Sequence, residues 1–409
     1  MENLNENKKY KCHLCGDNED KIVLFKAQNM FISAENLQDV SSDRAIENYA
    51  RGGGELEIIQ CFNCGYMENI AFDAYEMQKM YMDKNYYQTK NFTLRLSSHI
   101  LEIKNSIMTH AKKSDVFLEI APGRGDLVLA LAKEVKFIYT IDPSQSSSNI
   151  KQMKNNIKYI QGFFDKDFLD QHIKEKIDCV IFRHLLEHIY DPAKFLKDVV
   201  DYLDEDGMIY LEVPNAENIF RYRRFIDIYH DHCGYYQKAS IVKVMYEMGC
   251  ELIDEVEYFN GQHLGLFFRK TKNPLRELEL VIINNGIKKS FENEIRRLND
   301  ICKKYNRIGI YGAGVQAHTL INHLSYDNLL KINYAFEINE DKIGKYMLNS
   351  DILISYPKQE ILKDLDCLIM AIPSHEEYAY ENELLPLIKK FQFQGDIIKT
   401  AKGIECLIF

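Results

Sequence analysis

A chain of 409 residues is too long for one ordinary hydrophobic core, so two or three domains are expected. Its formal net charge of −10 argues against a nucleic-acid surface, which wants a basic face, and leaves room for an anionic small substrate in a local basic pocket. No run of eighteen or more apolar residues suggests a membrane span. The polar start, Met1-Glu2-Asn3-Leu4, lacks the apolar centre of an export signal, so the ten cysteines are read in a reducing, cytoplasmic setting.

Residues 1–75 carry two Cys-X-X-Cys pairs, Cys12/Cys15 and Cys61/Cys64, each followed by glycine. Such knuckles point both sulfurs at one ion, and four thiolates make a closed tetrahedral zinc site with no position left for catalysis. A redox pair would occur once and open a helix. His13 is the rival ligand, but its neighbours already complete the set. The long gap between the pairs predicts a folded insertion. Its Arg51-Gly52-Gly53-Gly54 run either covers a substrate or turns a hairpin.

From about residue 73 to 113, apolar residues at three-and-four spacing predict helices. Tyr81, Tyr86 and Tyr87 lie between them, close enough to the next strand to reach over a pocket at its end.

Val116-Phe117-Leu118 reads as a buried strand ending on Glu119. The turn Gly123-Arg124-Gly125 and a helix follow, and a second strand, Phe137–Ile141, ends in Asp142. Glycines let a ligand approach the backbone, the helix start favours polar or anionic groups, and an acid after the next strand suits a ribose. A third glycine at the dinucleotide spacing is missing, so the ligand expected is nucleotide-like. A third strand near Tyr159–Ile160 leads to Phe163 and Phe164, either of which would stack on a base or fill the core. The strand Cys179–Phe182 ends in Arg183, His184, Glu187 and His188 at the carboxyl edge of the sheet, where open α/β sheets bind ligands. On a helix, His184 and His188 would share a face. A metal is not expected there, because no further ligand pattern accompanies them.

The run His230-Asp231-His232 puts three ionisable groups in a row, and histidine is suited to moving protons near neutrality. Just upstream, Arg221, Arg223 and Arg224 could pair with a diphosphate or form a solvated face. A late hairpin, about 250–269, closes a domain spanning 76–270. The last domain, 271–409, opens with a charged helical connector. It then repeats the strand–turn–helix plan in Gly312-Ala313-Gly314-Val315-Gln316-Ala317, with Glu337 ending the next strand. Alone this predicts a second dinucleotide site, or a Rossmann-like turn that has lost its ligand. Pro373-Ser374-His375-Glu376 follows another strand.

Glu119, the glycines and Asp142 resemble the motifs of class I S-adenosylmethionine (SAM) methyltransferases. The resemblance implies that Glu119, Gly123 and Gly125 line the methionine side, that Asp142 holds the ribose hydroxyls, and that Phe163, Phe164 and His184 complete the cofactor pocket. The whole order of modules resembles the three-domain sugar C-methyltransferases that act on nucleotide-linked 4-keto deoxysugars. Their Tyr-His-Glu-His-X-X-Tyr-Phe motif stands here as residues 229–236, with Asp231 in place of glutamate and Cys233-Gly234-Tyr235-Tyr236 as its tail. The resemblance implies His232 as the base beside the ketone, His188 facing the carbonyl or enolate, and Tyr86 or Tyr87 as the upstream tyrosine. It also implies that Gly312 and Gly314, with Asp341–Tyr346, help bind the nucleotide-sugar end rather than NAD. The expected fold is α/β: a doubly wound class I methyltransferase sheet flanked by an N-terminal zinc-binding domain and a C-terminal Rossmann-like domain. The expected cofactors are SAM and structural zinc, with a nucleotide-linked sugar as partner and no nucleic acid or membrane. Alternatives are an O-methyltransferase on a related glycan precursor, an NAD(P)-dependent oxidoreductase using the last domain, and a zinc-bearing RNA methyltransferase. Oligomeric state, monomer or dimer, is left open.

Overall fold

The computed structural model describes all residues except 1–9, 19–20, 33–36, 83–93, 145–146, 148–149, 151–154, 276–279 and 409. Its strands run in chain order: β1 (Lys21–Met30), β2 (Gly54–Cys61), β3 (Met67–Asn69), β4 (Val116–Ile120), β5 (Phe137–Asp142), β6 (Ile157–Gln161), β7 (Ile177–Arg183), β8 (Leu203–Pro214), β9 (Gly234–Tyr235), β10 (Cys250–Tyr258), β11 (His263–Lys270), β12 (Ile308–Tyr311), β13 (Ile332–Phe336), β14 (Leu353–Ser355), β15 (Cys367–Met370), β16 (Asp396–Lys399) and β17 (Glu405–Leu407). They form three sheets.

The central sheet has seven strands in the order β10-β11-β8-β7-β4-β5-β6. All neighbours are parallel except β11, which opposes both β10 and β8. Every residue of β4 is buried, as a strand covered on both faces requires. The strand order reverses between β4 and β7, and the crevice at their carboxyl ends is where such sheets place ligands. The helices α1 (Ala74–Met82) and α2 (Leu94–His110) precede β4, and α1 crosses the expected boundary at residues 75 and 76.

The C-terminal sheet, β14-β13-β12-β15-β16-β17, is parallel up to β16, with β17 turned against it. The N-terminal sheet is antiparallel, in the order β1-β2-β3-β9. Its last strand comes from the central domain: Met67 pairs with Tyr235 and Glu68 with Gly234. The Asn69 amide also donates to the Cys233 carbonyl at 2.9 Å.

Met30 pairs with Gly54, so the insertion leaves and re-enters as a long hairpin. A side chain at Gly52 would strike the Met30 carbonyl at 2.3 Å, so this glycine turns the chain against β1. The insertion then reaches the C-terminal domain. The Arg44 guanidinium meets Asp351 at 2.7 Å, and Arg51 donates to the carbonyls of Ile321 and Leu324 at 2.7 and 2.8 Å. One apolar core accordingly runs from Leu24, Phe25 and Leu56 through Phe225 and Phe291 to Ile310 and Ile369. The central sheet has separate cores on its two faces. Among the described residues, no helix is long and apolar enough to cross a membrane.

Candidate active site at the head of the central sheet

The two cysteine knuckles converge. Cys12 and Cys64 sulfurs lie 3.8 Å apart, as do those of Cys15 and Cys61, and all four fall within 4.8 Å of one another. A tetrahedral ion with bonds of about 2.3 Å needs sulfurs roughly 3.8 Å apart, so the set fits a metal. Gly16 and Gly65, at φ 75° and 74°, close the knuckles with bonds to the Cys12 and Cys61 carbonyls. His13 turns away to Glu68, its Nδ1 2.6 Å from the carboxylate. Burial pushes the Glu68 pKa up to about 8.

The chemistry-bearing residues of the sequence gather elsewhere, around one cavity of about 830 Å³. Its floor is the head of β4 and β5. Glu119 ends β4, is buried, and has one carboxylate oxygen, Oε2, with no hydrogen-bond partner. Burial raises its pKa to about 7, against the opposing pull of Arg183. Ala121 at φ 54° and Gly123 at φ 57° bend the chain sharply, a strain typical of ligand-binding turns. A side chain at Gly123 would meet nothing within 4 Å, so the turn is open. Gly125, at φ 82°, caps the short helix Asp126–Leu131. Asp142 ends β5, accepts the Ser144 amide at 2.7 Å, and has its pKa raised by burial. Phe163 is 41% exposed beside the cavity, whereas Phe164 packs edge-on against Phe195 at 5.4 Å. An unpaired acid, an open glycine turn and a second acid on the next strand suit an amino-acid head group, a tight bend and a ribose, the parts of SAM.

The opposite wall holds the histidines. His184 sits at φ 48°, so it leaves β7 in a left-handed turn and shares no helical face with His188, which ends a 3₁₀ turn, Leu186–His188. Its Nε2–H donates to Glu212 at 2.9 Å, and Nδ1 lies 3.5 Å from Glu187. Burial disfavours its charge, but these two carboxylates outweigh burial and hold its pKa up to about 9. His188 behaves alike. Burial opposes its charge, Asp231 wins, and the pKa is about 9. Its Nδ1 contacts the Asp231 carbonyl at 3.0 Å and the Asp231 carboxylate at 3.2 Å.

His232 is the reverse case. Burial first, then the neighbouring His188 and His184, drive its pKa well below the ordinary histidine range, so it is neutral. Its ring stands 4.8 Å from that of His188, Nε2 meets the Tyr229 hydroxyl at 3.0 Å, and Nδ1 has no partner. Glu187, His188 and His232 also bring one ligand atom each within 4.8 Å of one another, close enough for a cation to bridge. His230 faces away from this pair. Its Nδ1–H donates to the Glu55 carbonyl at 2.8 Å and its ring stacks on Phe72.

Tyr86 and Tyr87 lie outside the described residues. Tyr81, on α1, lines the cavity, donates to the Asp231 carboxylate and meets His188 Nδ1 at 3.1 Å. The sequence put it among several tyrosines with nothing to single it out. Arg224 lines the cavity although buried, with Nε donating to Asp227 at 2.6 Å. Arg221 is exposed and outside the lining, and Arg223 reaches Glu294 at 3.2 Å. From the C-terminal domain, Val315, Gln316, Ser374 and His375 complete the wall, while Gly312 and Gly314 do not line it. Sequence reasoning also passed over His99, Glu212 and His263, which lack any motif spacing; the two histidines line the cavity beside Arg183 and approach the buried Glu212 carboxylate at 3.3 and 3.5 Å.

Residues 90–255 match a family described as a methyltransferase domain. No curated protein matches the chain. Among solved structures, a SAM-dependent methyltransferase from Clostridium acetobutylicum ATCC 824 is 16% identical, covering 43% of this chain and 90% of its own, with a TM-score of 0.34. The N-methyltransferase NodS from Bradyrhizobium japonicum WM9, in complex with S-adenosylhomocysteine, is 13% identical over 48% of this chain and 97% of its own, with a TM-score of 0.36. Magnesium protoporphyrin IX methyltransferase from Synechocystis PCC 6803, with the same ligand bound, is 12% identical over 48% and 94%, with a TM-score of 0.35. The family match, to a methyltransferase domain, covers less than half of the chain and falls on the seven-stranded unit whose sheet head carries the cavity.

Proposed function

We propose that the enzyme transfers a methyl group from SAM to the carbon beside the ketone of a nucleotide-linked keto-deoxysugar. The observation that carries this reading is the pair His188 and His232, 4.8 Å apart, with protonation states pushed in opposite directions beside the same cavity as Glu119 and Asp142. Divergent pKa values in neighbouring groups are the mark of an acid and a base with separate tasks. Neutral His232 removes the proton next to the ketone, with Nε2–H given to Tyr229 and the lone pair of Nδ1 left for the substrate. Cationic His188, pinned through Nδ1 by Asp231, donates from its other nitrogen to the enolate oxygen. SAM supplies a methyl group already activated on sulfonium, so the protein's tasks are positioning and deprotonation.

The cavity is large enough for two ligands, and its far end is built by buried Arg224 together with Gln316 and His375. Those groups support an acceptor carrying a diphosphate. The four thiolates support a structural zinc, closed to catalysis.

The test is incubation with SAM and a panel of nucleotide 4-keto sugars, read by mass spectrometry. Mass gain by one methyl is expected, as is deuterium wash-in beside the ketone without SAM. Methylation without wash-in would instead assign attack to oxygen. Stabilisation by NAD(P) alone would point to an oxidoreductase.

A further inference from the structure

The sequence offered no third ligand to accompany His184 and His188, but the fold supplies another set. His184 turns to Glu212, and His232 comes to stand beside Glu187 and His188. Each of these three offers one ligand atom, and the atoms lie within 4.8 Å of one another. An ion with bonds of about 2.1 Å needs them roughly 3–3.5 Å apart, so side-chain shifts of about 1 Å close the shell. Two members are short of partners. Glu187 is 1% exposed, and its Oε2 has no hydrogen-bond partner among the described residues. His232 is 5% exposed, and its Nδ1 is unpartnered in the same way. Both side chains line the cavity. With Nε2–H given to Tyr229, His232 Nδ1 is a lone pair, so both orphans are acceptors, and one cation satisfies both. The outer partners are those that orient metal-bound histidines: the Tyr229 hydroxyl on His232 Nε2 at 3.0 Å, and the Asp231 carboxylate on His188 Nδ1 at 3.2 Å. The set His99, Glu212 and His263 is less suited, because Glu212 already accepts from His184 and Tyr210 and faces the Arg183 charge.

We infer that Glu187, His188 and His232 bind one divalent ion of the zinc class, at a site separate from the four thiolates and open to the cavity. Two imidazoles and one carboxylate suit zinc or cobalt(II), whereas magnesium and calcium prefer oxygen ligands throughout. The consequence rests on the proton-transfer reading above. The ion takes the Nδ1 lone pair that removes the proton beside the ketone, so metal binding and proton abstraction exclude each other.

The experiment adds Co2+ or Zn2+ to the full-length protein with its cysteine site already loaded with zinc. Metal content should rise by one ion per chain. Bound Co2+ should show visible ligand-field absorption without the thiolate charge-transfer band of a cysteine site, and Mg2+ at the same concentration should not displace it. Glu187→Gln and His232→Gln should each weaken Co2+ binding more than about 100-fold, because even the outer partners of such ligands are worth about 10- to 100-fold. Both variants should keep the cysteine-bound zinc, which reports the fold. Zn2+ at about ten times its Kd should slow deuterium wash-in in the wild type about tenfold, since about a tenth of the sites stay free. An added ion that does not bind, binds through thiolate, yields to Mg2+ or survives both substitutions overturns the site. Zinc that binds there and leaves wash-in unchanged overturns the exclusion. Should the variants fail to fold, the wild-type cobalt spectrum decides. Absence of wash-in before any ion is added overturns the proton-transfer reading and leaves the metal site standing.

Discussion

The molecule contains the same local plan twice, and only one copy is open. In the central domain, Gly123 and Asp142 line the cavity, and a side chain at Gly123 would touch nothing. In the C-terminal domain, a side chain at Gly312 would strike Ile372 at 2.4 Å, so the glycine there permits close packing of β12 against the end of β15. The acids differ in the same sense. Glu337 accepts the amides of Ile338 and Asn339 at 2.9 and 3.2 Å, and its other oxygen lies 3.9 Å from Lys342. The Lys342 ammonium also donates to the Ala313 carbonyl of the glycine turn at 3.2 Å. An internal cation therefore links acid and turn across the gap a dinucleotide would occupy. A glycine turn between strand and helix specifies a bend, and the neighbouring side chains decide whether the bend receives a ligand.

Four experiments would break or sharpen this contrast. The largest expected effect is His232→Gln, which should slow deuterium wash-in about 10²- to 10⁴-fold, whereas Glu337→Gln should change turnover by less than about threefold. Equal losses would mean that both turns serve the reaction. Next, Gly312→Ala should cost about 2–5 kcal/mol in a denaturant titration, combining left-handed strain with overpacking. Gly123→Ala should cost only about 1–2 kcal/mol, from strain alone, and a larger cost there would close the open turn.

The third experiment is a pH profile. His188 must be charged and His232 neutral, so turnover should fall as pH rises through about 9, where His188 loses its proton. Because Asp231 is what favours that charge, Asp231→Asn should move the alkaline limb down by about one to three units. An unmoved limb would separate it from His188. The smallest effect is thermal: SAM at about ten times its Kd should add roughly 1.4 kcal/mol of stability, while NAD should add none. Stabilisation by NAD would reopen the second turn.

Much of this was legible in the chain. Buried strands followed by glycine turns announce themselves because the pattern is local, and paired cysteines do so because their spacing is short. The histidine loop stood out because three ionisable groups fall between apolar elements, and the structure brings Asp231 and His232 to the cavity while His230 turns to the Glu55 carbonyl. What escaped notice depends on long-range contact. Arg224 reads as part of a solvated basic run, yet Asp227 and Asn218 take it inside. Arg183 reads as the polar end of a strand, and only its register opposite buried Glu212 on β8, 29 residues on, shows what holds its charge. Tyr81 is one of several clustered tyrosines, chosen by the path of a helix that no motif encodes.

The strand β9 begins two residues after His232 and completes a sheet that otherwise belongs to the first third of the chain. Recombination that exchanges that third between related enzymes would therefore have to carry residues 233–236 along, or graft a sheet whose outermost ribbon is mismatched. The cysteine module is sewn to the histidine loop by backbone bonds, so a cut point near residue 75 would separate sequence modules while splitting one sheet in two.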